Sequence, residues 1–205
     1  MSLLKPSLFF ILLKRLQKKS FLYEFYFKNK QTLDIGCGEG EFLNNDPENI
    51  YGVDLNKTAI GRLLNKGCKV KLGDITKLDY ESNYFEAVHC SNVIEHLNVE
   101  EALQMIKEGA RVLKKAGIFV LASEMPTRFF LDTFGHIKPY PPKAIKKLLR
   151  ENSYEAFEGV DNLEYLTEFY IGNYHKNPIL YACSFILGFY LPFFRREYFV
   201  ILRKK

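Results

Sequence analysis

The segment Leu33-Asp34-Ile35-Gly36-Cys37-Gly38-Glu39-Gly40 constrains this chain more than any other. Thr32–Ile35 reads as a short apolar strand, and glycines at alternate positions follow it at once. In such a turn a side chain would block close approach of a ligand to the backbone, and glycine also frees the φ angle. Taken alone, G-x-G-x-G is weak evidence, because similar loops serve several nucleotide ligands and some bind nothing. The residues that follow give it context. Short apolar strands at Asn49–Val53, Lys69–Leu72, Phe85–Cys90 and Ile118–Ser123 alternate with helical patterns. Asn56 is placed to cap a helix running to about Asn65, with Gly67 as its stop. Asn98 with Glu101 makes a capping-box pattern, opening a helix whose Leu103, Ile106, Ala110 and Leu113 share one face. This β-α-β-α alternation specifies an α/β, doubly wound parallel sheet with its site at the carboxyl ends of the strands.

After the fifth strand the regularity weakens. Glu124–Pro142 reads as a loop, and Pro142 suits the first turn of the next helix. A sixth strand is expected near Tyr154–Gly159 and a last one at Tyr198–Leu202. The long connection 161–196 between them reads as an apolar insertion or lid. The organisation is therefore one domain over 30–205, preceded by a basic amphipathic helical extension over 1–29. That extension lacks the long apolar run and small-residue cleavage site of a signal peptide.

The formal charge of +5 over 205 residues hides a partition. Residues 1–30 hold seven Lys/Arg against Glu24 alone, and 176–205 hold six against Glu197. The middle of the chain is left with 16 basic and 22 acidic residues. Basic ends imply an anionic surface as partner, whereas an acidic middle argues against a nucleic-acid groove across the central domain. Cys37, Cys68, Cys90 and Cys183 lie far apart with no C-x-x-C, so neither a zinc knuckle nor a disulfide framework is indicated. A reducing, cytoplasmic setting is expected.

Two carboxylates sharpen the glycine loop. Asp54 ends the second strand, where a carboxylate can accept both hydroxyls of a ribose. Asp74 ends the third, within reach of a nucleobase amine. A dinucleotide would need its pyrophosphate on the turn at Glu39-Gly40-Glu41, where two carboxylates repel it. That disfavours an NAD-dependent oxidoreductase. S-adenosylmethionine, with ribose, adenine, a sulfonium and no phosphate, fits these residues better. Either aspartate alone is equally well explained as a helix cap.

Leu33–Phe42, Tyr51–Asn56, Leu72–Ile75, Phe85–Leu97 and Arg111–Ser123 together resemble the ordered motifs of class I S-adenosylmethionine-dependent methyltransferases. The resemblance is to the type 11 group, with Ser91-Asn92-Val93-Ile94-Glu95-His96-Leu97 matching its Glu-His-Leu signature. It implies a seven-stranded Rossmann-like sheet with an antiparallel last strand. It further implies that Asp34, Gly36, Cys37 and Gly38 hold the methionine moiety, Asp54 and Leu55 the ribose, and Asp74 and Ile75 the adenine. Ser91 would lie beside the transferred methyl, and the product would be S-adenosylhomocysteine.

Methyl transfer from a sulfonium needs an in-line nucleophile, and a base only where the acceptor must lose a proton. His136, in the loop after the fifth strand with Asp132 and Tyr140 nearby, is the favoured base. His96 follows it, and His89, inside a strand, reads as a packed side chain. Paired ligand spacing is absent, so no metal site is expected. The Asp/Asn-Pro-Pro-aromatic turn of adenine amino-group methylases is missing after the fourth strand, where Cys90-Ser91-Asn92-Val93 stands, and a Pro-Cys pair is missing too. A small or lipid-linked acceptor, methylated at oxygen or carbon, is therefore expected rather than a nucleic acid.

Pro178–Phe194 carries no charge but is too short, and too interrupted by Gly188 and Pro192, for a membrane span. Two readings stay open for it. It closes a substrate pocket or a homodimer contact, or it lies with the basic N-terminus on an anionic membrane surface, at the inner face. The alternative to an enzyme is a non-catalytic binding or peripheral membrane protein that kept the cofactor fold.

Overall fold

The computed structural model describes residues 22–149, 153–154, 157–172, 180, 183–184, 187, 191 and 195–205. Strands β1 (Thr32–Ile35), β2 (Ile50–Asp54), β3 (Lys69–Leu72), β4 (Phe85–Ser91) and β5 (Leu113–Glu124) are laid down in sequence order and pair in parallel. With β8 (Leu163–Gly172) and β9 (Arg195–Lys204) they form one seven-stranded sheet of order β3-β2-β1-β4-β5-β9-β8. β9 runs antiparallel to both of its neighbours. β1 pairs with β2 on one side and β4 on the other, so the winding reverses there and opens a crevice at the carboxyl ends.

Helices α1 (Lys57–Asn65), α2 (Val99–Val112), the single turn α3 (Arg128–Leu131) and α4 (Pro142–Leu148) complete the regular structure. Asn56 caps α1, accepting from the N–H groups of Thr58 and Ala59. Asn98 and Glu101 make both halves of the capping box at α2. Ala102, Met105, Ile106 and Ala110 of α2 pack on Leu33, Phe85, Phe119 and Leu121 of the sheet. Gly109 lets the helix sit close, since a Cβ there would stand 2.6 Å from the Phe119 ring. Arg111 on α2 donates to Glu108 and to the carbonyls of Leu78 and Tyr80, clamping the β3–β4 connection onto the helix.

Three expectations change. Between β1 and β2, where the β-α-β alternation calls for a helix, stands only a 3₁₀ turn at Leu43–Asn45. The strand expected at Tyr154–Gly159 is instead a small hairpin, β6 (Ser153–Tyr154) with β7 (Phe157–Glu158), outside the main sheet. The sheet's missing strand is β8, inside the stretch read as an insertion. As an edge strand it needs apolar residues on only part of its surface, and Glu164, Thr167 and Glu168 mask the pattern. The expected N-terminal helices over 1–21, and most of the apolar segment 178–194, lie outside the described residues; Tyr23–Phe27 forms a π-helical turn. Among the described residues no helix is long and apolar enough to cross a membrane.

Candidate cofactor site

The three loop glycines do different jobs. All take left-handed backbone angles, with φ of +70° at Gly36, +50° at Gly38 and +80° at Gly40. A Cβ on Gly36 would lie 2.3 Å from Val93 Cγ2, and one on Gly40 would lie 2.5 Å from Leu63 Cδ2. These two glycines let the turn pack against the body of the fold. Around Gly38 nothing lies within 4 Å of the corresponding point. The loop is open there, at the position where a ligand can reach the backbone.

The neighbouring strand tip is tied to this loop. Asp54 Oδ2 accepts from the Gly38 N–H at 2.8 Å, and Oδ1 accepts from the Asn56 N–H at 2.7 Å. Since Asn56 is the α1 cap, Asp54 is not consumed as one, and its carboxylate keeps lone pairs for further donors. Asp74 Oδ1 accepts from the N–H and hydroxyl of Thr76, which holds the Asp74 carboxyl below its ordinary range. Leu55 is 67% exposed beside these tips, whereas Ile75 is buried under them.

A cavity of about 700 Å³ opens next to the loop, lined by Asp34, Gly36, Glu39, Phe42, Ser91 and Asn92 among others. Cys37 also lines it, but its thiol packs into the cluster of Leu43, Ile50, Ile60 and Leu63, and burial pushes that thiol up to about 12. A hollow of about 850 Å³ between Tyr51, Lys71, Tyr80 and Arg111 lies elsewhere, and none of the loop glycines or strand-tip aspartates lines it.

Asp34 is buried at the β1 tip, in register with His89 on β4. Its Oδ1 lies 2.7 Å from His89 Nδ1. Burial pushes the Asp34 carboxyl up, against the pull of the histidine. The His89 ring stacks on Phe42 at 3.8 Å between centroids and meets Phe27 edge-on. His89 is thus a packed strand histidine, and it also forms part of the cavity floor through Asp34. Asn92, which takes a left-handed φ of +55°, and Phe42 line the cavity and are not among the residues the sequence singled out. Only the left-handed tolerance of asparagine hints at the first.

On the far side of Ser91 the β4 and β5 loops meet. His136 Nδ1 lies 3.0 Å from the Phe130 carbonyl, and its ring meets that of His96 at 5.0 Å. His96 Nδ1 lies 2.8 Å from the Gly135 carbonyl. Tyr140, expected near His136, donates its hydroxyl to the Leu97 carbonyl. Glu95 is wholly buried, takes the Ser123 hydroxyl on Oε2, and has no partner on Oε1 among the described residues. Burial raises its pKa, opposed by its own backbone N–H, by Ser123 and by the two histidines. Glu95, His96 and His136 bring ligand atoms within 4.8 Å of one another, a cluster the sequence spacing did not disclose. The fold assembles it from two loops.

Residues 33–121 match the model of the methyltransferase-domain family, type 11. The probable tRNA methyltransferase 9B of Mus musculus is 35% identical over 102 residues, 47% of this chain and 23% of that protein. The tRNA (carboxymethyluridine(34)-5-O)-methyltransferase of Arabidopsis thaliana is 34% identical over 91 residues, 43% of this chain and 22% of that one. The chain thus spans less than half the length of these curated relatives. A crystal structure of an S-adenosylmethionine-dependent methyltransferase from Archaeoglobus fulgidus superposes with a TM-score of 0.65 at 22% identity, covering 94% of both chains. At that identity the likeness speaks for the fold alone.

These tRNA methyltransferases overturn the expectation that a nucleic acid is not the partner; a sterol 24-C-methyltransferase of Debaryomyces hansenii is also similar, 31% identical over 104 residues, 45% of this chain and 27% of that protein. The reason lies in what the missing signatures test. An Asp/Asn-Pro-Pro-aromatic turn and a Pro-Cys pair mark attack by an adenine amino group or at cytosine carbon 5. A nucleoside oxygen needs neither, because the sulfonium asks only for an aligned lone pair. The basic ends suit a phosphate backbone as well as a lipid headgroup.

Proposed function

We propose that this chain, whose residues 33–121 match the type 11 methyltransferase-domain model, is an S-adenosylmethionine-dependent enzyme that methylates a nucleoside in RNA, at oxygen or carbon. The observation that carries the cofactor side is the open face of Gly38, whose N–H is held by the Asp54 carboxylate, in a loop that lines a cavity of about 700 Å³. In this reading Asp34 and the backbone of Gly36, Cys37 and Gly38 receive the cationic methionine end. Asp54 and Leu55 hold the ribose, Asp74 and Ile75 the adenine, and Ser91 flanks the methyl.

S-adenosylmethionine supplies an activated methyl group and leaves as S-adenosylhomocysteine. The protein's part is to orient it. The Asp54 carboxylate, fixed by the Gly38 and Asn56 N–H groups, keeps the loop and the ribose site in one register. Supporting an RNA acceptor are the two tRNA methyltransferases among the relatives and the seven and six basic residues at the chain's two ends. The test is transfer of a labelled methyl group to total tRNA. Incorporation should fall steeply with salt, as counterion release requires. Label that stays out of RNA but enters lipid extracts or small metabolites would refute the acceptor and spare the cofactor site.

A further inference from the structure

We infer that Glu95, His96 and His136 bind a divalent transition-metal cation, with coordination positions left open to solvent. Two imidazoles and one carboxylate are a recurring donor set for zinc and non-haem iron. Here each side chain brings one ligand atom within 4.8 Å of the other two. A metal would draw these atoms in by on the order of 1 Å, given bonds of about 2.0–2.2 Å. The histidines are already oriented for this. Nδ1 of His96 faces the Gly135 carbonyl and Nδ1 of His136 faces the Phe130 carbonyl. A carbonyl only accepts, so each Nδ1 carries the hydrogen and each Nε2 presents its lone pair. Ligating histidines are typically held through their second nitrogen in this way. Gly135 serves the arrangement, since a Cβ there would sit 3.2 Å from His96 Nδ1.

Glu95 supplies the independent observation. Its side chain is 0% exposed, yet Oε1 has no hydrogen-bond partner among the described residues. A buried carboxylate oxygen left unpaired is costly. Protonation would remove the charge but leave a hydroxyl at Oε1 as a donor with no acceptor among the described residues. A cation held jointly with the two Nε2 atoms satisfies it. His96 is exposed and His136 half-buried, so one side of the site remains free for water or an acceptor oxygen. That last use rests on the reading under Proposed function: a hydroxyl bound to the cation gives up its proton more readily. Binding of the cation does not depend on it. The donor set favours Co²⁺ and Zn²⁺ over Mg²⁺.

The test uses the full chain, stripped with a chelator and titrated with Co²⁺ while visible absorption is followed. Saturable d–d bands that Zn²⁺ displaces and Mg²⁺ does not are expected. His96→Ala and His136→Ala should each weaken Co²⁺ binding at least tenfold, with S-adenosylhomocysteine binding retained. His96 is exposed, so its variant keeps the fold, whereas Glu95→Gln alters a buried position and serves as the third probe. No Co²⁺ binding by the wild type up to ~1 mM, a regime of only about −4 kcal/mol, would overturn the site. Equal affinity in both histidine variants would overturn it too. Co²⁺ binding without any S-adenosylhomocysteine binding would sink the methyltransferase reading and leave the metal site standing.

Discussion

Gly38→Ala and Gly36→Ala separate the two roles assigned to the glycine loop. Both residues take left-handed angles, and for an alanine that conformation costs roughly 1–2 kcal/mol. At Gly38 the cost stops there, because nothing lies within 4 Å of the new Cβ. At about 2–4 °C per kcal/mol for a chain this long, Tm should fall by about 2–8 °C. At Gly36 the Cβ would stand 2.3 Å from Val93 Cγ2, so overpacking is added. That contributes a further 1–3 kcal/mol or so, for about 2–5 in all. Adding Val93→Ala to Gly36→Ala should recover the steric part and leave the backbone part, giving a favourable coupling of about 1–3 kcal/mol. The ligand affinities run the other way. A methyl on Gly38 enters the space reserved for the cofactor, so S-adenosylhomocysteine should bind Gly38→Ala at least tenfold more weakly, about 1.4 kcal/mol. Thermal melts and titration calorimetry on both variants decide the matter. Unchanged affinity in Gly38→Ala would place the ligand elsewhere, and a melting loss equal to that of Gly36→Ala would deny the clearance over Gly38.

Asp54→Asn keeps the size of the strand-tip side chain but removes its charge and one of its acceptor oxygens, so it should fold and lose at least tenfold in S-adenosylhomocysteine affinity by calorimetry. Asn98→Ala deletes half of the α2 capping box and should cost about 1 kcal/mol in urea unfolding without touching ligand affinity. Arg111 holds the Glu108 carboxyl below its ordinary 4.5, so the stabilisation from this pair is present above that pH and is lost as pH falls below it. Melting temperature followed between roughly pH 3 and 5.5 should therefore slope less in Glu108→Gln than in the wild type.

Much of this fold could be read along the chain because its signals are local. The strand–glycine–strand alternation, Asn56 and the Asn98/Glu101 pair act over three or four residues, and they form as the sequence implies. β8 was hidden because an edge strand such as Leu163–Gly172 carries its polar residues on the strand itself. The candidate cofactor residues share a place that the sequence does disclose: Asp34, Asp54 and Asp74 stand at or just past strand ends, and the topology brings those strands side by side. What stayed out of view depends on contacts between distant loops. The Asp34–His89 pair needs the β1–β4 register, and the Glu95–His96–His136 cluster needs the β4 and β5 loops to close on each other. No spacing rule within one segment reports either. Nucleic acid was set aside for a related reason: the absence of two signatures was taken to speak for a broader chemistry than they cover.

The central claim is that the tips of β1, β2 and β3 converge on one phosphate-free nucleoside. Calorimetric titration of the full chain with S-adenosylhomocysteine, beside a parallel titration with NADH, tests it most directly. Saturable single-site binding of S-adenosylhomocysteine, abolished in Asp54→Ala, with no heat from NADH, is the result predicted; silence toward S-adenosylhomocysteine, or tight binding of NADH, contradicts the account.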